Sequence, residues 1–428
     1  MSKRLFVVLS VLVLASVMLA ACGAKPTPTA APTQAPATDA PATQAPATDE
    51  PKADAPEVCA TDKFGCAVFE SGQTIKIGLG GPMTGDNAAY GVDASQAAKL
   101  AVADAGQFEG FSFELVAEDD GGTPEGGAAV ANKFVADPQV VAIAGHSFSG
   151  ATGAAIPVYE AAGIPMMSMS ATNPDLTKSG SAVFNRLVFT DAAQGKFAAE
   201  YIYNKLNFRK IAIVHDGQAY GQGLAEVVQA QFTALGGEVV TFQAVTPGES
   251  DYSAVLADVA SKKPELLYFG GYVAEGVVIV NGMKQAGLGD VIFFGDDGTF
   301  GQDFLDRTGA NGEGAYATTL IPPASDAKAK FDAAYEATYG QAAGKLSPYS
   351  WCSYDSAAVL IKAIESVAVL GGDGKLYVPR GALVEAVRHT TDYQGLSGVV
   401  TCDSTGECSA SGPVFNIIKD GQWVEAPK

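Results

Sequence analysis

The run Gly145-His146-Ser147-Phe148-Ser149-Gly150 carries residue types suited to two different chemistries. Its first five positions match the nucleophile elbow G-x-S-x-G except at the fifth, where Ser149 stands in place of glycine. A serine nucleophile needs a histidine base within hydrogen-bond reach, and the chain has only three: His146, His215 and His389. His146 adjoins Ser147 and is expected to point elsewhere, His215 ends a distant apolar run, and His389 falls in a late helical stretch. The competing chemistry is anion binding. Ser149, Gly150, Ala151 and Thr152 lie where an apolar run gives way to a helical pattern, so free backbone N–H groups and hydroxyls converge there on a carboxylate. An ordinary N-cap role suits Ser149 equally well, and Pro157 leaves the start and straightness of that helix open.

The elements that would position these residues are readable as alternation. Short runs apolar on both faces occur at 75–80 (IKIGLG), 113–118 (FELVAE), 140–145 (VVAIAG), 164–169 (IPMMSM), 210–215 (KIAIVH), 265–270 (ELLYFG) and 291–296 (VIFFGD). Such runs are the mark of strands buried in a parallel sheet. Helix-like stretches lie between them, among them 94–105, 128–136, 224–235, 252–261 and 275–286. This βαβ repetition predicts an α/β fold of two doubly wound parallel-sheet lobes, with a break near RLVFTDAAQG at 186–195. Ligand sites in such sheets form in the loops at the carboxyl ends of the strands. Those loops hold hydroxyls, glycines, the tyrosines Tyr90, Tyr220 and Tyr272, and the adjacent carboxylates Asp296 and Asp297.

Ahead of the fold, Lys3 and Arg4 precede an apolar run that ends Leu19-Ala20-Ala21-Cys22. That is the layout of a secretory signal, with a lipobox-like end whose Cys22 would become a lipidated N-terminus. A ten-residue Pro/Ala/Thr unit beginning TQAPATD then occurs twice, and residues 23 to about 56 are expected to form a disordered tether. The formal net charge of −20 argues against nucleic acid and anionic lipid as partners. Cys59 with Cys66, and Cys402 with Cys408, are spaced for local disulfides in an exported protein, which leaves Cys352 a buried thiol. Neither CxxC nor HxxxH spacing occurs, so no metal is expected.

Taken together the segments resemble the type I periplasmic binding proteins of the leucine/isoleucine/valine class, the solute receptors of amino-acid ABC importers. The resemblance is carried by KIAIVHDGQAYGQGLAEVVQ (210–229), LLYFGGYVAEG (266–276), MKQAGL (283–288), GPMTGDNAAYG, AEDDGGTPEGGAAVANKFV and AGIPMMSMSATNPDLT, and spans about 74 to 425. It implies that Ser149 and the N–H of Gly150 bind a ligand α-carboxylate with help from Thr172. It further implies that the Ser170 carbonyl and Thr172 hydroxyl receive an α-ammonium, in a loop that includes Ala171. Tyr90, Tyr220 and Tyr272 would form aromatic walls. Asp297 stands where relatives usually have an ammonium-pairing glutamate, with Asp296 its rival. Phe148 is a bulky departure within the serine turn, and a disulfide that some relatives anchor there cannot form, since no cysteine lies between 67 and 351. A zwitterion removed from water needs both charges paired, which this set supplies without lysine or arginine.

The expected organisation is a lipoprotein signal peptide at 1–21, lipidated Cys22 and tether over 22–70, one lobe from 71–190 plus 320–395, and another from 191–319 plus 396–428. The expected function is an extracytoplasmic, lipid-anchored, monomeric receptor without cofactor. It would close by a hinge over a branched-chain or other hydrophobic amino acid and deliver it to an ABC permease. The alternatives are a sensing module for amides or amino acids, and a secreted hydrolase using Ser147.

Overall fold

The computed structural model describes residues 55–408 and 411–427. The leader, Cys22 and most of the tether lie outside the described residues. Among the described residues no helix is long and apolar enough to cross a membrane.

Two sheets organise the chain. The first runs, edge to edge, through Gln107–Phe108, Phe111–Asp119, Ile75–Gly81, Val140–Ala144, Met166–Ser168 and Phe184–Arg186. All pairings after the short antiparallel edge are parallel. Val140–Ala144 is buried at every position, because helices cover both faces of the sheet at its centre. On one face the helices Pro124–Ala136 and Ser149–Ala162 pack closely: a Cβ on Gly127 would come within 2.3 Å of the Ala151 carbonyl oxygen. Over the other face Ser350–Val367 packs on Ala88–Ala105.

The second sheet runs through Gln422–Glu425, Val414–Lys419, Tyr316–Thr319, Ile292–Phe294, Leu266–Gly270, Lys210–His215 and Glu238–Ala244. Its five strands from Lys210–His215 to Tyr316–Thr319 are parallel, and the last two strands of the chain add antiparallel. The parallel parts of the two sheets share one order: the first strand lies between the second and the third. Each sheet therefore has a switch point beside its first strand, where connections leave in opposite directions and a crevice opens. Ile75–Gly81 and Val140–Ala144 flank the first crevice, Lys210–His215 and Leu266–Gly270 the second.

Two expected boundaries move. The tether does not extend to 70: Cys66–Phe69 forms a strand antiparallel to Leu376–Pro379, with Phe69 fully buried, and the Cys59–Cys66 disulfide closes the preceding turn. Nor does the chain leave the neighbourhood of the first sheet at 396. Leu396 and Ser397 donate backbone N–H groups to the buried Asp355, and Cys408 N–H donates to the Arg186 carbonyl at the edge of the first sheet.

Candidate ligand-binding site

The loops at the two switch points face each other across one small cavity. It is lined by Tyr90, Ser147, Phe148, Ser149, Ser170, Tyr220, Tyr272, Asp297, Gly298 and Tyr349. A larger groove of about 570 Å³ lies at the amino ends of Ile292–Phe294 and Tyr316–Thr319, but its charged residues Lys284, Asp290 and Glu313 are all exposed. The small cavity differs because its polar residues, all but the half-buried Ser170, are buried.

Glycines bring the serine turn to its place. A Cβ on Gly80 would strike the His146 ring at 2.2 Å, and one on Gly81 would strike Ser147 Oγ at 2.6 Å, so the end of the first strand must be bare. Gly122 has φ +70° and leaves room for the Phe148 ring. The N-cap of Ser149–Ala162 is Phe148, which makes Ser149 the first helical residue instead of the cap. Its hydroxyl accepts the Asn173 N–H at 3.3 Å. Pro157 lies inside this helix, which removes one backbone donor. Ser170 Oγ donates to the Ser147 carbonyl at 2.7 Å and ties the neighbouring loop to the turn.

These contacts also decide what Ser147 can do. Its hydroxyl donates to Met169 Sδ at 3.7 Å. The His146 ring is wholly buried, with Nδ1 2.7 Å from Asp120 Oδ2 and Nε2 2.8 Å from the Tyr159 hydroxyl. His215 Nδ1 accepts the Gly217 N–H, and His389 Nδ1 lies 2.8 Å from the Glu385 carbonyl oxygen. Each of the three histidines is engaged away from Ser147, so the elbow-like motif has no base beside it.

Asp297 is the polar centre of the opposite wall. Its Oδ1 accepts from the Tyr220 hydroxyl at 2.6 Å and from Gln194 Nε2 at 2.6 Å, and its Oδ2 accepts from the Tyr349 hydroxyl. Its backbone carbonyl accepts from the Tyr90 hydroxyl at 2.8 Å. Asp296 turns the other way, and its Oδ2 accepts the Gly271 N–H at 2.8 Å. Asp296 is extended and caps the 3-10 turn Asp297–Thr299 that Asp297 opens, and this change of backbone direction separates the two side chains. Burial pushes the Asp297 carboxyl above its ordinary value, against the opposing pull of Tyr220, Tyr349 and Gln194. Asp296 is raised by burial and then by the charge of Asp297. Asp191, bridged to Asp297 through the Gln194 amide, is pushed up to about 8 by burial and by Asp297. Burial raises the Tyr90, Tyr220, Tyr272 and Tyr349 hydroxyls, which stay protonated donors at neutral pH.

Aromatic rings close the remaining sides. Phe148 stacks on Tyr272 with centroids 3.8 Å apart and planes at 9°, and Tyr90 meets Phe148 edge-on at 5.7 Å. The space left is about 10 Å³, no more than a single water molecule needs.

Of the residues expected from the sequence, Tyr90, Phe148, Ser149, Ser170, Tyr220, Tyr272 and Asp297 come together here. Gly150 faces Pro124 in an outer groove, while Ala171 and Thr172 are fully buried behind the wall, where the Thr172 carbonyl accepts the Asp191 N–H. Ser147, Gly298 and Tyr349 line the cavity without having been named as ligand residues, and Gln194 supports Asp297 from behind. Tyr349 leads a helix and Gln194 lies within one, so neither follows a strand. Among the described residues no group of three or more His, Cys, Asp or Glu is arranged to hold a metal ion.

A family model described as periplasmic binding protein matches residues 74–422. An amino acid binding protein of Pseudomonas aeruginosa is 36% identical over 238 residues, 55% of this chain, and the match spans only 63% of that relative. A Leu/Ile/Val-binding protein homolog 3 of Brucella melitensis is 31% identical over 362 residues, covering 82% of this chain and 93% of its own length. A branched-chain amino acid transporter substrate binding protein from Streptococcus pneumoniae, solved in complex with isoleucine, superimposes with a TM-score of 0.73 at 27% identity. That comparison covers 82% of this chain and 98% of the other.

Proposed function

The chain belongs to the periplasmic binding protein family, and on that premise we propose that it is the substrate-binding component of an ABC importer. It captures a branched-chain or other hydrophobic amino acid by hinge closure and hands it to a permease. The observation that carries this reading is the opposition of two polar ends across one aromatic cavity. On one wall is the start of the helix Ser149–Ala162, and on the other the buried Asp297, with no lysine or arginine between them. A helix start with a hydroxyl suits a carboxylate, and a buried carboxylate suits an ammonium. The two charges of a zwitterion then pair with opposite lobes, and the rings offer apolar surface to its side chain.

In this reading Ser149 takes the α-carboxylate and the Ser170 carbonyl and Asp297 take the ammonium, while Gly150 and Thr172, which do not line the cavity, support the two loops. Tyr90, Tyr220, Tyr272 and Phe148 enclose the side chain. The ammonium supplies the charge that burial withholds from Asp297, so binding favours the ionised carboxylate. A leucine-sized ligand enters only when the lobes part and the Phe148–Tyr272 stack separates. We assign one lobe to 71–190 plus 320 to about 408 and the other to 191–319 plus the C-terminal strands. Cys22 carries the lipid that holds this monomer at the outer face of the membrane, and no reaction is catalysed. Calorimetric titration with each of the twenty standard amino acids tests the reading. Saturable one-site binding of leucine, isoleucine or valine is expected, and absence of heat with every amino acid would overturn it.

A further inference from the structure

Arg186 is fully buried, and it carries a guanidinium whose bonds all reach loops or the short segment that follows one. Nε donates to Glu407 Oε2 at 2.8 Å, and Nη2 donates to Glu407 Oε1 at 2.6 Å and to Thr177 Oγ1 at 3.0 Å. Nη1 donates to the carbonyls of Ala171 at 2.9 Å and Asn173 at 2.8 Å. A buried guanidinium without a paired carboxylate is costly, so this arrangement depends on Glu407.

Glu407 is delivered by a loop closed on itself by the Cys402–Cys408 disulfide. The loop lies along the edge strand Phe184–Arg186: Arg186 N–H donates to the Gly406 carbonyl and Cys408 N–H to the Arg186 carbonyl, each at 2.9 Å. Within it, Asp403 Oδ1 accepts the Thr405 and Glu407 N–H groups. Gly406, at φ +95°, lies so close that a Cβ would come within 2.3 Å of the Phe184 carbonyl oxygen.

The carbonyls held by Arg186 flank Thr172. Asn173 also donates its N–H to Ser149 Oγ at 3.3 Å and its Nδ2 to the Ala219 carbonyl at 2.5 Å, at the start of the helix Ala219–Ala234 beside the second sheet. One chain of contacts thus runs from the disulfide loop, through Glu407 and Arg186, to Ser149 and across the cleft.

We propose that the Cys402–Cys408 loop is a positioning device for the ligand site, in which Glu407 and Arg186 hold residues 171–173 in register with Ser149 and Ala219. Arg186 and Glu407 are positioning residues that touch no ligand. The effect on affinity rests on the amino-acid-binding reading above; the effect on the loop does not. A purely structural staple would change the melting temperature and leave the register of 171–173 and the affinity alone.

The test compares full-length wild type with Glu407→Gln, which keeps shape and removes charge, and with the paired change Cys402→Ser and Cys408→Ser. Backbone hydrogen exchange is followed at 170–176 and at Val140–Ala144, and leucine, isoleucine and valine are titrated. Both variants are expected to exchange faster at 170–176 with Val140–Ala144 unchanged, and to bind about tenfold more weakly, as loss of supporting partners typically costs a site. Thr177→Val, which removes the hydroxyl that accepts from Arg186 and donates to Glu407 while leaving their ion pair, should show the same pattern at smaller size, and it decides the matter if the other variants fail to fold. Exchange at 170–176 equal to wild type overturns the proposal. So does faster exchange with unchanged affinity. If wild type binds no amino acid, the functional reading fails while the exchange comparison still judges the strut.

Discussion

The hydroxyl of Tyr349 donates to Oδ2 of Asp297, joining the residue that leads the helix Ser350–Val367 over the first sheet to the strand-end carboxylate of the second. This bond joins the two sides of the cleft, so on the proposed hinge-closing reading it forms only in the closed state. Tyr349→Phe keeps the ring and removes the bond. Small-angle scattering should find this variant more open than wild type without ligand, and equal scattering profiles would count against a latch.

Asp297→Asn should weaken amino-acid binding by roughly 2–5 kcal/mol, the range for breaking one side of a desolvated charge pair. Asp296→Asn should cost much less, because its carboxylate serves the Gly271 N–H. Titration calorimetry of the two variants side by side checks the assignment.

Ser149→Ala should weaken binding by about 1–3 kcal/mol, the cost of an unmet charged acceptor. Ser147→Ala should do less, since that hydroxyl is turned to Met169. Ester-hydrolysis assays should stay blank for both, and turnover lost with Ser147 alone would revive the nucleophile.

Asp191 gives the fold a pH dependence of definite sign. Its ordinary value is 3.8, and burial with the nearby Asp297 raises it to about 8. Between those limits the folded chain holds a proton that the unfolded chain has released, so stability falls as pH rises. Asp216, raised by burial to about 7, acts in the same direction. Asp191→Asn imitates the protonated form; it should melt with wild type only at or below pH 3.8, and increasingly above it as pH rises to about 8. Parallel melting curves across that range would refute the assignment.

Cys22→Ala should move the protein from the membrane to the soluble fraction while its amino-acid affinity stays the same. Continued sedimentation with membranes would point to a different anchor.

The central strands were legible because parallel strands covered on both faces are unbroken apolar runs, as at Val140–Ala144. Glu238–Ala244 was not, since an edge strand of half-buried residues has no such signature. Nor were the antiparallel strands Val414–Lys419 and Gln422–Glu425, which follow no helix. At the site, the loops directly after strands were legible from topology alone. Tyr349 and Gln194 were not, because they meet Asp297 from 52 and 103 residues away and from helical segments whose local pattern gives no hint of a cleft.

The stacked Phe148 and Tyr272 rings come from opposite sides of the cleft. Such a pair is worth about 0.5–1.5 kcal/mol beyond the area it buries. If the lobes open and close as proposed, that is up to about a tenfold shift towards the shut form. On the proposed reading an incoming amino acid has to displace an aromatic contact before it makes its own. Separation of the two rings is then a step common to capture and release.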